Sequence, residues 1–320
     1  MKGSHKLVVR GRRVQYTIVL ERNITVLRGE SATGKTTLVS LLQDYENEGR
    51  QSGVSVICDR PCHVIGGNSW EQQLERIRGG IVFVDEGNSF LTSADFARAV
   101  RESDNYYVLV TRENLYQLPY SVEAVLELRK TTSKMKITYN QAYPYYKYVP
   151  EVTGKLARAD QILTEDSCAG NQLFSQVARD YGISCHSAGG KSGIYTWLHE
   201  HSESKSFVIA DGAAFGAEMD KVYRFLQLHP DSIILYLPES FEWLIMEAGV
   251  VSDSEIREIL AMPSDYIASE RFFSWEQFFY DLLVKKTEST YNKYSKEQLA
   301  DFYLQPKNVQ RILRAIETKP

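Results

Sequence analysis

The stretch from Gly29 to Thr37 reads GESATGKTT, and its residue types and spacing suit the binding of phosphate groups. Two glycines five positions apart let the backbone wrap an anion closely, the next lysine can reach the outer phosphates, and the hydroxyl after it can bind Mg²⁺. We therefore predict that this segment binds the phosphates of a nucleotide and that Thr36 is a ligand of Mg²⁺. The predicted nucleotide-binding residues here are Gly29, Glu30, Ser31, Ala32, Thr33, Gly34, Lys35, Thr36 and Thr37.

Two acidic residues, Asp85 and Glu86, follow the apolar run IVFV later in the chain. An aspartate at the end of a buried strand can hold Mg²⁺ beside Thr36, and a neighbouring glutamate can polarise an attacking water. Two adjacent acids are costly near a core without a cation, which favours a functional role. We predict Asp85 as a metal ligand, and Glu86 and Lys35 as catalytic residues.

Thr111 and Arg112 come at the end of another apolar run, YYVLVT. Parallel α/β sheets place their ligands beyond the carboxyl ends of the strands. We therefore expect both residues at the same edge of the sheet, where they can contact the terminal phosphate, and we include them in the predicted nucleotide site.

Acids also follow apolar runs in the second half of the chain. Glu165 comes after QILT, Asp211 after SFVIA, and Glu242 after IILYLP. Acids at successive strand ends of one sheet can converge on a metal ion. Glu165 and Asp211 are the predicted metal ligands of this second set.

Apolar runs alternate with helix-like segments along both halves of the chain, and these elements must position the residues above. The first part contains a hairpin (KLVVRG and VQYTIVL), then strand NITVLR, helix TTLVSLLQDYENE, strand VSVIC, helix SWEQQLERI, strand IVFV, helix SADFARAVRES and strand YYVLVT. A second alternation runs from QILTED to IILYLP. Such alternation predicts the α/β class, with a mainly parallel sheet covered on both faces.

The pattern divides the chain into four predicted segments. They are a first α/β domain at 1–137, a linker at 138–158, a smaller α/β domain at 159–262 and a helical tail at 263–320. The linker is rich in tyrosine and interrupted by prolines. In the tail, SWEQ (274–277) and SKEQ (295–298) fit the start of a helix with a capping box.

With these elements in place, NITVLRGESATGKTTL resembles the Walker A motif of P-loop ATPases, and the end of IVFVDE resembles their Walker B motif. The layout is most similar to the additional-strand, ABC-like type, in which one strand lies between the loop strand and the Walker B strand. The resemblance implies a P-loop NTPase domain that hydrolyses ATP. The sequence has no LSGGQ-like signature, and the stretch between the two motifs is too short for a normal ABC helical subdomain.

The second half resembles a Toprim domain of the kind fused behind an ABC-type ATPase in the overcoming-lysogenization-defect (OLD) nucleases. Glu165 matches the glutamate of the first Toprim strand, and DGAAFG offers Asp211 but has Ala213 at the second position of the Asp-x-Asp motif. The resemblance implies metal-dependent action on nucleic acid in a mobile-element or phage-defence setting. A missing carboxylate weakens a two-metal site, because each Mg²⁺ needs oxygen ligands.

Three functions remain open on these patterns. The sequence favours an Mg²⁺-dependent ATP-binding protein, a slow ATPase whose nucleotide state controls the Toprim-like domain, with nucleic acid or a protein as its partner. One alternative is an ATP-gated, metal-dependent nuclease. The other is a small-molecule kinase, although the adjacent Asp85 and Glu86 argue for water as the phosphoryl acceptor.

Composition sets further limits. The 320 residues are 43% hydrophobic and carry a net charge of −4, which allows two domains and gives no overall attraction to nucleic acid. The sequence lacks a membrane-spanning apolar run and an apolar signal segment, so we expect a cytoplasmic protein with no membrane partner. The four cysteines suit reduced thiols. CDRPCH (58–63) could suggest zinc, but no second ligand pair stands at a matching spacing.

Overall fold

A computed structural model describes residues 1–30, 33–134, 137–147 and 159–318. The chain divides into two units, and both are discontinuous in sequence. The first comprises Met1–Lys147 and Met262–Ser274, and the second comprises Tyr148–Ala261 and Trp275–Pro320. Each unit is an α/β fold with its own sheet.

The first unit is built on a sheet of nine strands within the described residues. They are β1 (His5–Arg10), β2 (Val14–Leu20), β3 (Ile24–Arg28), β4 (Ser55–Ile57), β5 (Cys62–Val64), β6 (Ile81–Val84), β7 (Tyr106–Val110), β8 (Val125–Lys134) and β9 (Ile137–Pro144). Their order across the sheet is β4-β1-β2-β9-β8-β3-β7-β6-β5. Parallel pairing predominates, and antiparallel pairs join β1 to β2, β1 to β4 and β8 to β9.

The sheet is strongly curled, because its two edge strands are close neighbours along the chain. β4 ends at Ile57 and β5 begins at Cys62, yet they stand at opposite ends of the strand order. A flat sheet of this size would separate its edges by roughly 38 Å, since adjacent strands lie about 4.8 Å apart. The chain from Ile57 to Cys62 can span at most about 18 Å. The two edges must therefore approach each other.

Helices cover both faces of the central strands. The helices of the first unit are α1 (Lys35–Glu48), α2 (Trp70–Leu74) and α3 (Ala94–Arg101). Neighbouring residues of a strand point to opposite faces. Phe83 of β6 packs in one cluster with Leu38 of α1, while Tyr107 of β7 meets Phe96 of α3 with ring centroids 6.0 Å apart. β6 and β7 are buried along their whole length, which explains why each reads as an uninterrupted apolar run.

The second unit contains a smaller sheet of four described strands, all parallel, in the order β11-β10-β12-β13. These are β10 (Gln161–Thr164), β11 (Ser184–Ser187), β12 (Ser206–Ile209) and β13 (Ile233–Tyr236). Its helices are α4 (Ala169–Tyr181), α5 (Lys191–Glu200), α6 (Gly216–Leu228), α7 (Phe241–Glu247), α8 (Ser254–Ala261), α9 (Trp275–Thr287), α10 (Asp301–Leu304) and α11 (Pro306–Thr318).

The predicted linker at 138–158 is wrong in its first part. Residues 137–144 form β9, which pairs with β2 and β8 inside the first sheet. β9 shows no regular alternation of buried and exposed residues, so its sequence lacks the period-two pattern of a strand. Residues 148–158 lie outside the described part of the chain, and the linker prediction is not tested there.

The predicted helical tail also needs correction. Residues Met262–Ser274 belong to the first unit rather than to a tail. A helix does begin next to SWEQ, since α9 starts at Trp275. SKEQ (295–298) does not start a helix, and the next helix begins at Asp301. Lys296 of this segment instead pairs with Glu276 of α9.

Candidate nucleotide site and acidic cluster

Three loops that carry predicted site residues leave the same edge of the first sheet. They begin at Gly29 after β3, at Asp85 after β6 and at Thr111 after β7. β7 lies between β3 and β6 and is parallel to both. The carboxyl ends of adjacent parallel strands meet at one edge, so the fold brings these loops together.

Two glycines frame the predicted phosphate-binding segment. Gly29 has φ +122° and Gly34 has φ +92°, a region that side chains with a Cβ rarely adopt. At Gly34 the space is also closed, because a Cβ would lie 2.6 Å from the hydroxyl oxygen of Tyr16. Ser31 and Ala32, which are part of the predicted site, lie outside the described residues.

The Lys35 side chain lies inside this loop and hydrogen-bonds to its backbone. The residue is only 5% exposed. Its Nζ donates to the backbone carbonyls of Gly29 and Glu30, both at 2.8 Å, and to Thr33 Oγ1 at 3.1 Å. The ammonium group is thus placed among the backbone atoms of the loop, where a bound phosphate could replace the carbonyl partners.

The two acids after β6, Asp85 and Glu86, influence the pKa of Lys35. Burial is the main influence and lowers the pKa of Lys35, while the negative charges of Glu86 and Asp85 oppose that effect. Arg112 contributes a positive charge and forms an ion pair with Glu86, with Nε 3.1 Å from Oε1. Lys35, Asp85, Glu86 and Arg112 therefore make one charged group.

Asn88, a residue that no motif marks, fixes the loop after β6. Its Nδ2 donates to the Asp85 carbonyl at 2.9 Å, and its Oδ1 accepts from the Gly67 backbone N–H at 2.9 Å. Asp85 Oδ1 accepts from the Glu86 N–H at 2.8 Å. The Asn88 amide therefore ties the loop after β6 to the loop after β5.

The predicted hydroxyl ligands have different surroundings. Thr36 and Thr37 stand in the first turn of α1 and are exposed, and the Thr37 side chain hydrogen-bonds Tyr16. Thr111 is buried, and its Oγ1 accepts the Glu113 N–H at 3.0 Å. Thr36 is accessible to a ligand, whereas Thr111 stabilises a local turn.

A cleft of about 640 Å³ adjoins Asp85. Its walls include Asn88, Glu46 of α1 and His63 of β5, and His63 Nδ1 lies 2.8 Å from Glu46 Oε1. A volume of this size is typical of small-molecule sites. The cleft leaves room beside the Asp85 carboxylate for water or a small organic molecule.

In the second unit, the structure brings the two predicted acids together. Glu165 follows β10 and Asp211 follows β12, and these strands are adjacent and parallel. Glu165 Oε2 accepts the Asp211 backbone N–H at 3.1 Å, and Asp211 Oδ1 accepts the Phe241 N–H at 3.0 Å. Glu242 of α7 is only 1% exposed and accepts from the Tyr294 hydroxyl at 2.6 Å.

Lys296 supplies a positive charge to this acidic cluster, and the sequence gives no sign of that role. Its Nζ lies 3.3 Å from Glu276 Oε1 of α9. Burial opposes its charge, but the carboxylates of Glu276, Asp211 and Glu242 outweigh burial and raise the pKa of Lys296.

Burial also raises the pKa of the two predicted ligands. It brings the pKa of Glu165 to about 7, against the opposing hydrogen bond from the Asp211 backbone. For Asp211, burial and then the charges of Glu276, Glu165 and Glu242 raise the pKa well above its usual range. A pair of carboxyls with raised pKa values shares its protons more readily than two exposed acids would.

The cluster contains the ammonium group of Lys296 and lacks the second aspartate of the Toprim-like motif. Over the described residues, no group of three or more His, Cys, Asp and Glu side chains is placed to hold a metal ion. Ala213, at the second position of the Toprim-like motif, lies in a buried 3₁₀ turn and offers no side-chain oxygen. The metal role of Glu165 and Asp211 therefore stays a prediction.

No protein-family model matches this sequence, and the comparison with curated proteins likewise found no match. Among the helices of the described residues, none combines the length and the apolar character needed to cross a bilayer.

Proposed function

We propose that the first unit binds ATP together with Mg²⁺ and hydrolyses it slowly. The supporting observation is the convergence of the Lys35 loop with Asp85, Glu86 and Arg112 at one sheet edge. The strand order supports the same conclusion, because β7 separates β3 from β6 as the resemblance to ABC-like ATPases implies.

Each residue has a distinct role in this proposal. Lys35 exchanges its carbonyl partners for phosphate oxygens, and the first N–H groups of α1 face the same anion. Thr36 and Asp85 offer the oxygen donors that Mg²⁺ prefers, and the bound ion would neutralise charge on the phosphates. Glu86 accepts a proton from the attacking water.

The ion pair between Arg112 and Glu86 supplies the reason for slow turnover. A carboxylate that is held by a guanidinium is not free to orient an attacking water. A bound terminal phosphate offers Arg112 a second anionic partner, and this would release Glu86 to act on water. The rate then depends on how completely Arg112 changes partner.

The test measures ATP binding by calorimetry and phosphate release on the full chain. Lys35→Ala should abolish binding, because it removes the buried ammonium, and the exposed Lys6→Ala serves as the matched control. Glu86→Gln should keep binding but lower hydrolysis by about 100-fold. Unchanged ATP affinity in Lys35→Ala would contradict the assignment.

The cleft beside Asp85 gives a specific reason to keep a small-molecule kinase as the second candidate. A kinase would transfer the phosphoryl group to an acceptor in that cleft, so ATP consumption would exceed the release of free phosphate when the acceptor is supplied. Phosphorus NMR of the reaction with a metabolite mixture distinguishes the two outcomes by the product formed.

For the second unit, we propose that it binds nucleic acid or a partner protein under control of the nucleotide, without efficient cleavage. The position of Lys296 among the carboxylates supports this, because a paired-metal centre needs those oxygens for its cations. Robust Mg²⁺-dependent cleavage of plasmid DNA, lost in Glu165→Ala, would favour the ATP-gated nuclease instead.

A further inference from the structure

Two cysteines lie where the edges of the curled sheet approach each other. Cys58 comes directly after β4, and Cys62 is the first residue of β5. These strands are the two ends of the strand order. A bond between the cysteines would therefore link the two edges of the first sheet across the short connection that already joins them.

The two thiols contact each other and the backbone between them. Their side chains share a hydrogen bond, and the Arg60 backbone N–H donates to the Cys58 sulfur. Cys62 Sγ also lies 3.8 Å from the Arg60 carbonyl oxygen, and Cys58 Sγ lies 3.6 Å from Asp59 Oδ1. Both cysteines are free and partly exposed, so a small reagent can reach them.

The contacts give the two thiols different reactivity. The hydrogen bond from Cys62, helped by the Arg60 N–H, lowers the pKa of Cys58 to about 7, although burial and the Asp59 charge oppose the shift. The same pairing, together with burial, raises the pKa of Cys62. Cys58 is thus the nucleophile at neutral pH, and Cys62 holds its proton until Cys58 has reacted.

We propose that Cys58 and Cys62 form a reversible intramolecular disulfide when the protein meets a peroxide. The Cys58 thiolate attacks one peroxide oxygen, an S–O bond forms, the O–O bond breaks, and the leaving hydroxide takes up a proton as water. Cys62 then loses its proton and attacks the Cys58 sulfur, so that the S–S bond forms and the S–O bond breaks, and the leaving hydroxide takes up that proton as the second water. Overall, two thiols and one hydrogen peroxide give one disulfide and two waters.

The test follows the covalent state of the full chain, because a disulfide that closes so short a loop removes little entropy from the unfolded chain. The protein is reduced, freed of reductant, treated with a small excess of hydrogen peroxide and digested. We expect a disulfide inside the peptide that contains both cysteines, and its loss on adding dithiothreitol. Cys168 and Cys185 are internal controls and should stay thiols, since burial raises the pKa of each.

Single substitutions separate the two roles. Cys62→Ser should stop the reaction at a sulfenic acid on Cys58, which dimedone traps, whereas Cys58→Ser should leave Cys62 unoxidised. Faster oxidation of Cys168 or Cys185 would overturn the proposal, and so would bonds between chains in place of the internal bridge. Stoichiometric zinc that protects Cys58 and Cys62 from alkylation would also overturn it, because the pair would then be a metal site.

Discussion

Two amines, Lys35 and Lys296, show how the surroundings of one residue decide what a site can do. The Lys35 ammonium has neutral carbonyl oxygens as its closest partners, and burial lowers its pKa. Lys296 lies among carboxylates that raise its pKa. The first amine is suited to an incoming anion, since a phosphate would stabilise its charge. The Lys296 ammonium already compensates the negative charge of the carboxylates around it.

Glu165 should make the stability of the second unit depend on pH. Its pKa is raised from 4.5 to about 7 in the folded protein, so the folded state holds the proton more tightly than the unfolded state. This contribution is complete below about pH 4.5 and is lost as the pH rises through 7. We expect the unfolding free energy to fall by about 2–3 kcal/mol between pH 5 and 8.

Glu165→Gln should reduce this pH dependence, because the amide does not titrate, while Asp211 keeps its own contribution. Urea unfolding at several pH values measures it, with fluorescence from Trp243 and Trp275 of the second unit. Glu203→Gln changes an exposed acid of the same unit and should keep the wild-type profile. Identical profiles for wild type and Glu165→Gln would show that Glu165 titrates normally.

Gly34→Ala should damage the proposed phosphate-binding loop for two separate reasons. The positive φ alone costs about 1 kcal/mol with a Cβ present, and the added Cβ would collide with the Tyr16 hydroxyl. Gly53→Ala is the matched control, since Gly53 also has positive φ but open space around it. We expect a larger loss of stability and of ATP affinity for Gly34→Ala, and partial recovery when Tyr16→Phe is added.

At the scale of elements, the loops between helices and strands carry the side chains that form the two candidate sites. Parallel strands bring the loops after β3, β6 and β7 to one edge, and Asn88 then joins neighbouring loops. In the second unit, the segment between α9 and α10 brings Tyr294 to Glu242 and Lys296 to Glu276. Both arrangements depend on connections that carry no helix or strand pattern.

Lys296 is the cation that the segment between α9 and α10 supplies. Without it, the carboxylates of the acidic cluster should repel one another. Lys296→Ala should lower the unfolding free energy at pH 8 by about 1–2 kcal/mol, a figure reduced for the partial exposure of the side chain. The loss should shrink at pH 5, because the raised pKa values of Glu165 and Asp211 let these two carboxyls bind protons there. Exposed Lys293→Ala is the control.

A divalent cation offers a second measurement on the same variant. Mg²⁺ or Mn²⁺ should raise the melting temperature of Lys296→Ala more than that of wild type, because the vacated oxygens can bind the ion. An equal response of the two proteins would show that the lysine does not exclude a metal.

At the scale of the whole molecule, the first unit is completed by a distant piece of the chain. Residues Met262–Ser274 belong to this unit although they follow the second sheet in the sequence. Backbone hydrogen bonds connect Gly3 N to Ser264 O at 2.7 Å and Ser269 N to Met1 O at 2.8 Å. Asn23 Nδ2 also donates to the Phe273 carbonyl at 3.0 Å. The unit therefore cannot be separated from the rest by a single cut.

A fragment of residues 1–147 should be less stable than the same fragment joined by a flexible linker to residues 262–274. Loss of these hydrogen bonds and of the packing around them should cost about 3 kcal/mol or more. Unfolding followed through Trp70, the single tryptophan of both fragments, measures the difference. Equal midpoints would mean that the returning segment adds nothing to the first unit.

The sequence by itself determined the elements that can be recognised from the residue pattern within one segment. IVFV and YYVLV could be identified as strands because they are buried on both faces, and the glycine and lysine spacing of residues 29–37 marked the loop between β3 and α1. Asp85 and Thr111 followed from their positions after strands. Walker-type chemistry for these residues remains a prediction that rests on this local pattern.

Only the tertiary structure decided which distant residues meet. The curl of the sheet, the strand at 137–144, the return of Met262–Ser274 and the position of Lys296 all come from contacts between segments far apart in sequence. An apolar face or a charge can be stabilised by many different surfaces, and the fold decides which surface lies next to it. The periodicity of a short segment does not contain that information. For the same reason no local pattern marked Lys296 as the partner of Glu276.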